Sequence, residues 1–148
     1  MTSQAASQDP ACIFCKIAAG QIPAHKVYED DQVLAFLDVG PLARGHVLII
    51  PRSHYETLDQ MPAETAAACL RVAPRLSRAV LQATGAKAYN LLQNNGRLAH
   101  QEVNHVHFHI IPKTEHGGLG IVWPAGKLDP DDAQTLRQQI TQAMQADA

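Results

Sequence analysis

The segment Asn104-His105-Val106-His107-Phe108-His109-Ile110-Ile111-Pro112 constrains this chain more than any other. A strand turns successive side chains to opposite faces, so a period of two sorts this run into two sets. Val106, Phe108 and Ile110 share one face and suit packing against a helix. His105, His107 and His109 share the other, with neighbouring imidazoles ~7 Å apart from strand rise alone. The apolar set explains itself; three imidazoles in a row do not. Three chemistries compete for them. As a solvated strand face they are an odd choice, since Thr or Lys would serve as well. As metal ligands, alternate histidines on a strand can grip zinc or iron. As a covalent centre, one neutral imidazole attacks while another donates to charged oxygens. The last suits imidazole, whose unperturbed pKa of ~6.5 leaves it mostly neutral near neutral pH.

The remainder of the 148-residue chain reads as one domain with a core of its own, spanning 11–148 behind a flexible tail at 1–10. Lys+Arg of 12 against Asp+Glu of 14 gives a net charge of -2, which leaves no basic footprint for nucleic acid. The same balance excludes a strongly acidic, self-repelling disordered chain. Met1 to Ala11 carries neither the basic nor the apolar stretch of a leader, and no apolar run reaches the ~18 residues of a membrane span. Three cysteines is an odd number, which argues against a disulfide framework. A cytoplasmic protein is expected, with the nucleus also open for a eukaryotic source, and with no membrane or nucleic-acid partner.

Turn punctuation divides the chain. A short helix is expected at Ile13 to Ala19, stopped by Gly20 and Pro23. Lys26–Glu29 and Val33–Asp38 flank Asp30-Asp31 and suggest a hairpin. His46–Ile50 reads as a short buried strand ended by Pro51. Leu70, Ala73, Leu76, Val80 and Leu81 follow helical spacing within Pro62 to Thr84, and Gly85 sits where a helix ends. Pro74 either kinks that helix or starts a second one. Ala88–Gln93 and Val103–Ile111 read as strands, and Asp129-Pro130-Asp131-Asp132 as a helix start. Three strands in succession, a helix, then two more strands give an α+β fold with a mainly antiparallel sheet of about five strands and packed helices.

Other polar residues take plainer readings. Cys12-Ile13-Phe14-Cys15 has the spacing of half a zinc site, but a closed site needs four ligands and no second such pair exists. Two buried thiols packing a helix is the bland alternative. His25 and His46 read as core or edge hydrogen-bonders, His116 as a turn residue and Cys69 as helix core. The glycines around His116 lack the Gly-Lys-Ser/Thr ending of a phosphate loop.

His-Val-His-Phe-His-Ile-Ile resembles the signature of the histidine triad (HIT) family, and other pieces fall in the family's order. Phe36-Leu37-Asp38 resembles its nucleoside-contacting strand end. Gly45 to His54 resembles the strand that closes in Ile-Pro-basic-x-His. Asn94-Asn95-Gly96 with Gln101-Glu102-Val103 resembles the segment feeding the triad, and Trp123-Pro124 an element of the Hint branch. The resemblance covers about residues 12 to 126 and departs from the family at His100, Glu102 and Lys113. His100 stands where many members carry Gly, and its bulk would narrow the leaving-group side.

The resemblance implies a hydrolase of purine nucleoside 5′-phosphoramidates that works through a nucleotidyl-histidine intermediate. His107 would attack phosphorus, His109 would hold phosphate oxygens or help the leaving group, and His105 and His54 would support the site. Asp38 would contact the ribose, with Phe36 and Val39 bordering the base. Asn94, Gln101 and the backbone of Val103 would hold phosphate and leaving group. It also implies a structural zinc on Cys12, Cys15, His54 and His105, no organic cofactor, and a homodimer in which Trp123 packs near the partner's site. A dinucleoside polyphosphate hydrolase, a nucleotide-binding regulatory protein and a metalloprotein built on the triad are the rivals.

Overall fold

A computed structural model describes residues 7–148. Of the expected tail, residues 1–6 lie outside the described residues. Ser7 is tied down, its carbonyl accepting the His54 backbone N–H at 2.6 Å. Five strands form one antiparallel sheet in the order β1-β2-β3-β5-β4: β1 Lys26–Glu29, β2 Val33–Leu37, β3 Val47–Pro51, β4 Ala88–Gln93 and β5 Phe108–Lys113. The α+β expectation holds.

Each sheet face has its own cover. The helix α2, Ala63–Thr84, lays Cys69, Val72, Leu76 and Val80 on Val33, Ala35, Val47, Ile49, Val106, Phe108 and Ile110. The short helix α1, Ile13–Ala18, brings Phe14, Cys15 and Ile17 onto Leu34, Phe36, Leu48 and Ile50 of the other face. Alternation along β2 and β3 therefore feeds two cores, which is why both strands read as continuous apolar runs. Pro74 sits inside one unbroken α2. It lacks the N–H that would bond the Leu70 carbonyl, and Leu70 lies on the exposed side, open to solvent. Gly85 ends the helix at φ 76, its N–H on the Leu81 carbonyl.

Two expectations need correction. The last strand begins at Phe108, not Val103. Its register with β3 runs only from Val47↔Ile110 to Ile49↔Phe108. Further pairing would bring in Pro51, which has no N–H to give, and the Pro51 carbonyl is taken by the His105 ring at 2.8 Å. Val106 instead donates its N–H to Tyr55 at 2.8 Å. The third helix α3, Pro130–Ala146, starts on its Asp129 cap as expected but buries none of its residues. Unlike α1 and α2, it contributes no residue to either core cluster.

Candidate active site

The triad side chains gather on the α1 face, where Phe14 stands edge-on to His105 (5.8 Å between ring centroids), His107 (5.1 Å) and Phe36 (5.6 Å). Sorting by alternation survives even where the ladder does not: Val106 joins Phe108 and Ile110 under α2, away from the imidazoles. The spacing does not survive. His107 and His109 ring centroids lie 4.8 Å apart, well inside the expected strand repeat, because His107 precedes the regular strand.

Hydrogen bonds fix which nitrogen of each ring carries its proton. The His105 carbonyl lies 2.7 Å from His107 Nδ1, so that nitrogen donates and Nε2 keeps a lone pair. Leu42 donates its backbone N–H to His46 Nδ1 at 3.1 Å, which puts the His46 proton on Nε2. That nitrogen is 2.8 Å from His109 Nδ1, so His109 accepts there and holds its own proton on Nε2. The Asp38 carboxylate stands 3.5 Å from His46 Nε2 and takes the Gly40 N–H at 2.8 Å. A lone pair on His107 thus sits beside a ring whose remaining proton is free to be donated.

Burial keeps these rings neutral. It lowers the pKa of His109 to about 4, helped by the neighbouring His107 and His46. It lowers His46 and His107 as well, against the pull of the Asp38 carboxylate. His105 is pushed down to about 4 by burial, against its bond to the Pro51 carbonyl.

A second cluster adjoins the first. Cys12, Cys15, His54 and His105 present one donor atom each within 4.8 Å of one another. His105 Nδ1 lies 3.4 Å from Cys12 Sγ, 3.6 Å from Cys15 Sγ and 3.2 Å from His54 Nδ1; Cys15 Sγ lies 3.4 Å from His54 Nδ1. Tetrahedral zinc with bonds of ~2.3 Å to sulfur and ~2.05 Å to nitrogen sets its ligands about 3.5 Å apart for S–N and about 3.3 Å for N–N. The agreement is within a few tenths of an ångström. His105 gives its Nε2 proton to Pro51, so its lone pair points into the cluster. Cys69 lies apart, its buried thiol pushed up to about 12.

The other expected residues flank β5. Phe36 is buried, while Val39 is almost fully exposed. Across the strand, the Asn94 amide reaches the His100 carbonyl at 3.4 Å. Gln101 is buried: Nε2 donates to the carbonyls of Glu56 and Val103, and Oε1 accepts from Gly96 N. Its amide braces the loop. The Val103 carbonyl also takes the His105 N–H, so any backbone contact it offers elsewhere comes from its own N–H. Two site residues escaped the sequence reading. Phe14 gave no signal beyond being apolar. His46 was read as a hydrogen-bonder, correctly, but its partner depends on the β3–β5 register.

The family model for the HIT domain matches residues 19–116, two thirds of the chain. The chain belongs to the HIT family. This HIT protein is 44% identical over 132 residues to a fission yeast relative (Schizosaccharomyces pombe) named adenosine 5′-monophosphoramidase hnt1, covering 88% of this chain and 96% of the relative. It resembles the crystal structure of a histidine triad nucleotide-binding protein from Candida albicans at TM-score 0.84 and 40% identity, covering 93% of this chain and 100% of that one. A zinc-bound histidine triad family protein from Mycobacterium smegmatis superposes at TM-score 0.68 and 34% identity, covering 92% and 97%.

Proposed function

We propose that this protein hydrolyses purine nucleoside 5′-phosphoramidates, as an adenosine 5′-monophosphoramidase, through a covalent intermediate on His107. The observation that carries the reading is the fixed lone pair on His107 Nε2, held by the bond from Nδ1 to the His105 carbonyl. In the first half, Nε2 attacks the α-phosphorus and the P–N bond to the leaving amine breaks. The electron pair goes with the amine, which takes the Nε2 proton of His109. In the second half, water attacks phosphorus, its proton returns to His109, and the His107 lone pair is restored with release of the nucleoside monophosphate. Dividing one displacement into two lowers each barrier. Asp38 holds the ribose and Phe36 with Val39 borders the base, while Asn94, Gln101 and Val103 shape the phosphate side. The names of the fission yeast and Candida relatives support a nucleotide substrate. The test is acid quench of a single turnover with adenosine 5′-phosphoramidate, followed by mapping of the adduct. Nucleotidylated His107 and released AMP are expected; an adduct on another residue, or no turnover, overturns the reading.

The neutral rings carry a pH signature. The His109 pKa in the fold, about 4, lies below its value of ~6.5 in an unfolded chain. Protonation on the way down from about pH 6.5 therefore opposes the folded, active arrangement, and above that pH it has no effect. The acid limb of kcat/KM, which reports the free enzyme, is expected below about pH 6.5. A limb centred above that value would show a ring left charged.

Zinc fits the second cluster by its distances and by the chemistry of two sulfurs and two imidazole nitrogens. Cys12, Cys15, His54 and His105 would hold it, and it would staple α1 to the sheet as a structural ion. The zinc-bound mycobacterial relative supports this assignment. Free thiols at Cys12, Cys15 and Cys69 suit the reducing cytoplasm.

A homodimer completes the proposal. Within the single chain, Trp123 is 80% exposed, and Leu136, Ile140 and Met144 form an uncovered stripe along α3. Large apolar groups left in water in this number mark an interface. The protein is expected to sediment at about twice its 16.0 kDa mass at micromolar concentration, and removal of 121–148 to shift it toward monomer. A fully active monomer at that concentration would refute the assembly.

A further inference from the structure

Among the described residues, His100 is the one non-glycine with positive φ, at φ 66 and ψ 27. L side chains seldom take this left-handed conformation, and glycine takes it freely. A strained residue kept by a well-braced frame suggests a use for its side chain.

The frame is well braced. Gln101, next in the chain, ties Gly96, Glu56 and Val103 together through its buried amide. Asn95 Oδ1 accepts the Leu58 N–H at 2.7 Å, and the Asn94 amide holds the His100 carbonyl. The rim above that frame is open: Arg97, Leu98 and His100 are all exposed, Leu98 completely. His100 closes a single turn on Arg97, N–H to carbonyl at 3.0 Å, which sets their two cationic or donor side chains on one loop end. Neither joins any ion pair among the described residues. Glu102, two residues beyond His100, and Glu56, whose carbonyl Gln101 holds from a separate segment, are both exposed.

Position gives the rim its meaning. β4 pairs with β5 through Leu92↔His109 and Gln93↔Phe108, so the loop departs level with His107. Asp38 and His46 lie on the opposite flank of β5, beside β3. A substrate whose ribose sits at Asp38 and whose phosphorus faces His107 directs its leaving group toward the loop that carries Arg97 and His100.

We propose that the Arg97–His100 turn is the specificity element for the leaving group and that it selects leaving amines bearing a carboxylate. The proposal rests on the phosphoramidase reading above and deepens it. A charge-assisted bond from guanidinium or imidazole to a carboxylate needs the planar donors this rim supplies.

The experiment compares adenosine 5′-phosphoramidates of glycine and of glycinamide, alike in size and differing in the carboxylate. The wild-type protein is expected to favour the glycine compound in kcat/KM. That ratio is expected to fall about tenfold in His100→Gly and in Arg97→Gln, and to shrink with added salt, as an exposed charge contact does. His100→Gly is expected to melt no lower than wild type, because glycine suits the backbone there; a purely structural role would not change the ratio. A ratio unchanged within twofold in both variants overturns the proposal while leaving the phosphoramidase reading standing. No turnover of either compound by the wild-type protein overturns both.

Discussion

Replacing His107 with alanine is expected to abolish phosphoramidate hydrolysis while leaving nucleotide binding and the fold largely intact. The loss would remove the atom proposed to form the covalent bond, so it should exceed the ~10²–10⁴-fold typical of losing a general acid or base. Binding should persist, since Asp38 and Phe36 stand on β2 and its end and neither hydrogen-bonds to the lost ring. The fold should persist too, because among the described residues the His107 ring bonds only to the His105 carbonyl, and it packs on Phe14 and His109. Steady-state turnover with calorimetric binding of AMP measures both halves. If the variant keeps more than a tenth of wild-type kcat, His107 is not the nucleophile.

The second large effect concerns the Cys/His cluster. About one zinc per chain is expected in protein purified without chelator. Cys12→Ser is expected to lower thermal stability more than it lowers kcat, because Cys12 touches the cluster but not the reacting rings. Structural zinc contributes to folding directly, and its loss from the proposed site would leave His105 and Cys15 buried without a cation to pair them. Burial already pushes the Cys15 thiol above its ordinary pKa, so without metal the site favours neutral thiol over thiolate. A loss of ~3 kcal/mol would lower Tm by roughly 6–12 °C in a chain of this size. Metal analysis that finds no zinc, or a Tm unmoved by the substitution, would remove zinc from the account.

Much of this was legible because its signals are periodic or local. Alternation assigned Val106, Phe108 and Ile110 to one face and the imidazoles to the other, and the structure agrees. The helix start at Asp129 and the α2 stop at Gly85 follow from cap chemistry that needs no tertiary partner. What escaped depends on pairing across the sheet. The start of β5 is decided by Pro51, which cannot donate and whose carbonyl His105 has taken, 54 residues away in sequence. His46 meets His109 only because β3 and β5 align Val47 with Ile110. Whether α2 continues through Pro74 turns on Leu70 facing water, which the periodicity leaves open. Trp123 is apolar enough to demand cover, yet none of the described residues supplies it.

The hydrogen bonds behind His109 all point one way, and this gives the site a closed end. His109 Nδ1 is supplied by His46, and His46 Nδ1 faces the Leu42 N–H, a donor that never releases its proton at working pH. A proton passed outward from His109 can be followed by the one on His46, but among the described residues no titratable donor stands behind His46 to refill the chain. On the proposed reaction, the proton handed to the departing amine comes back from the mouth of the site, with the water that frees the nucleotide, so each turnover would restore its own acid.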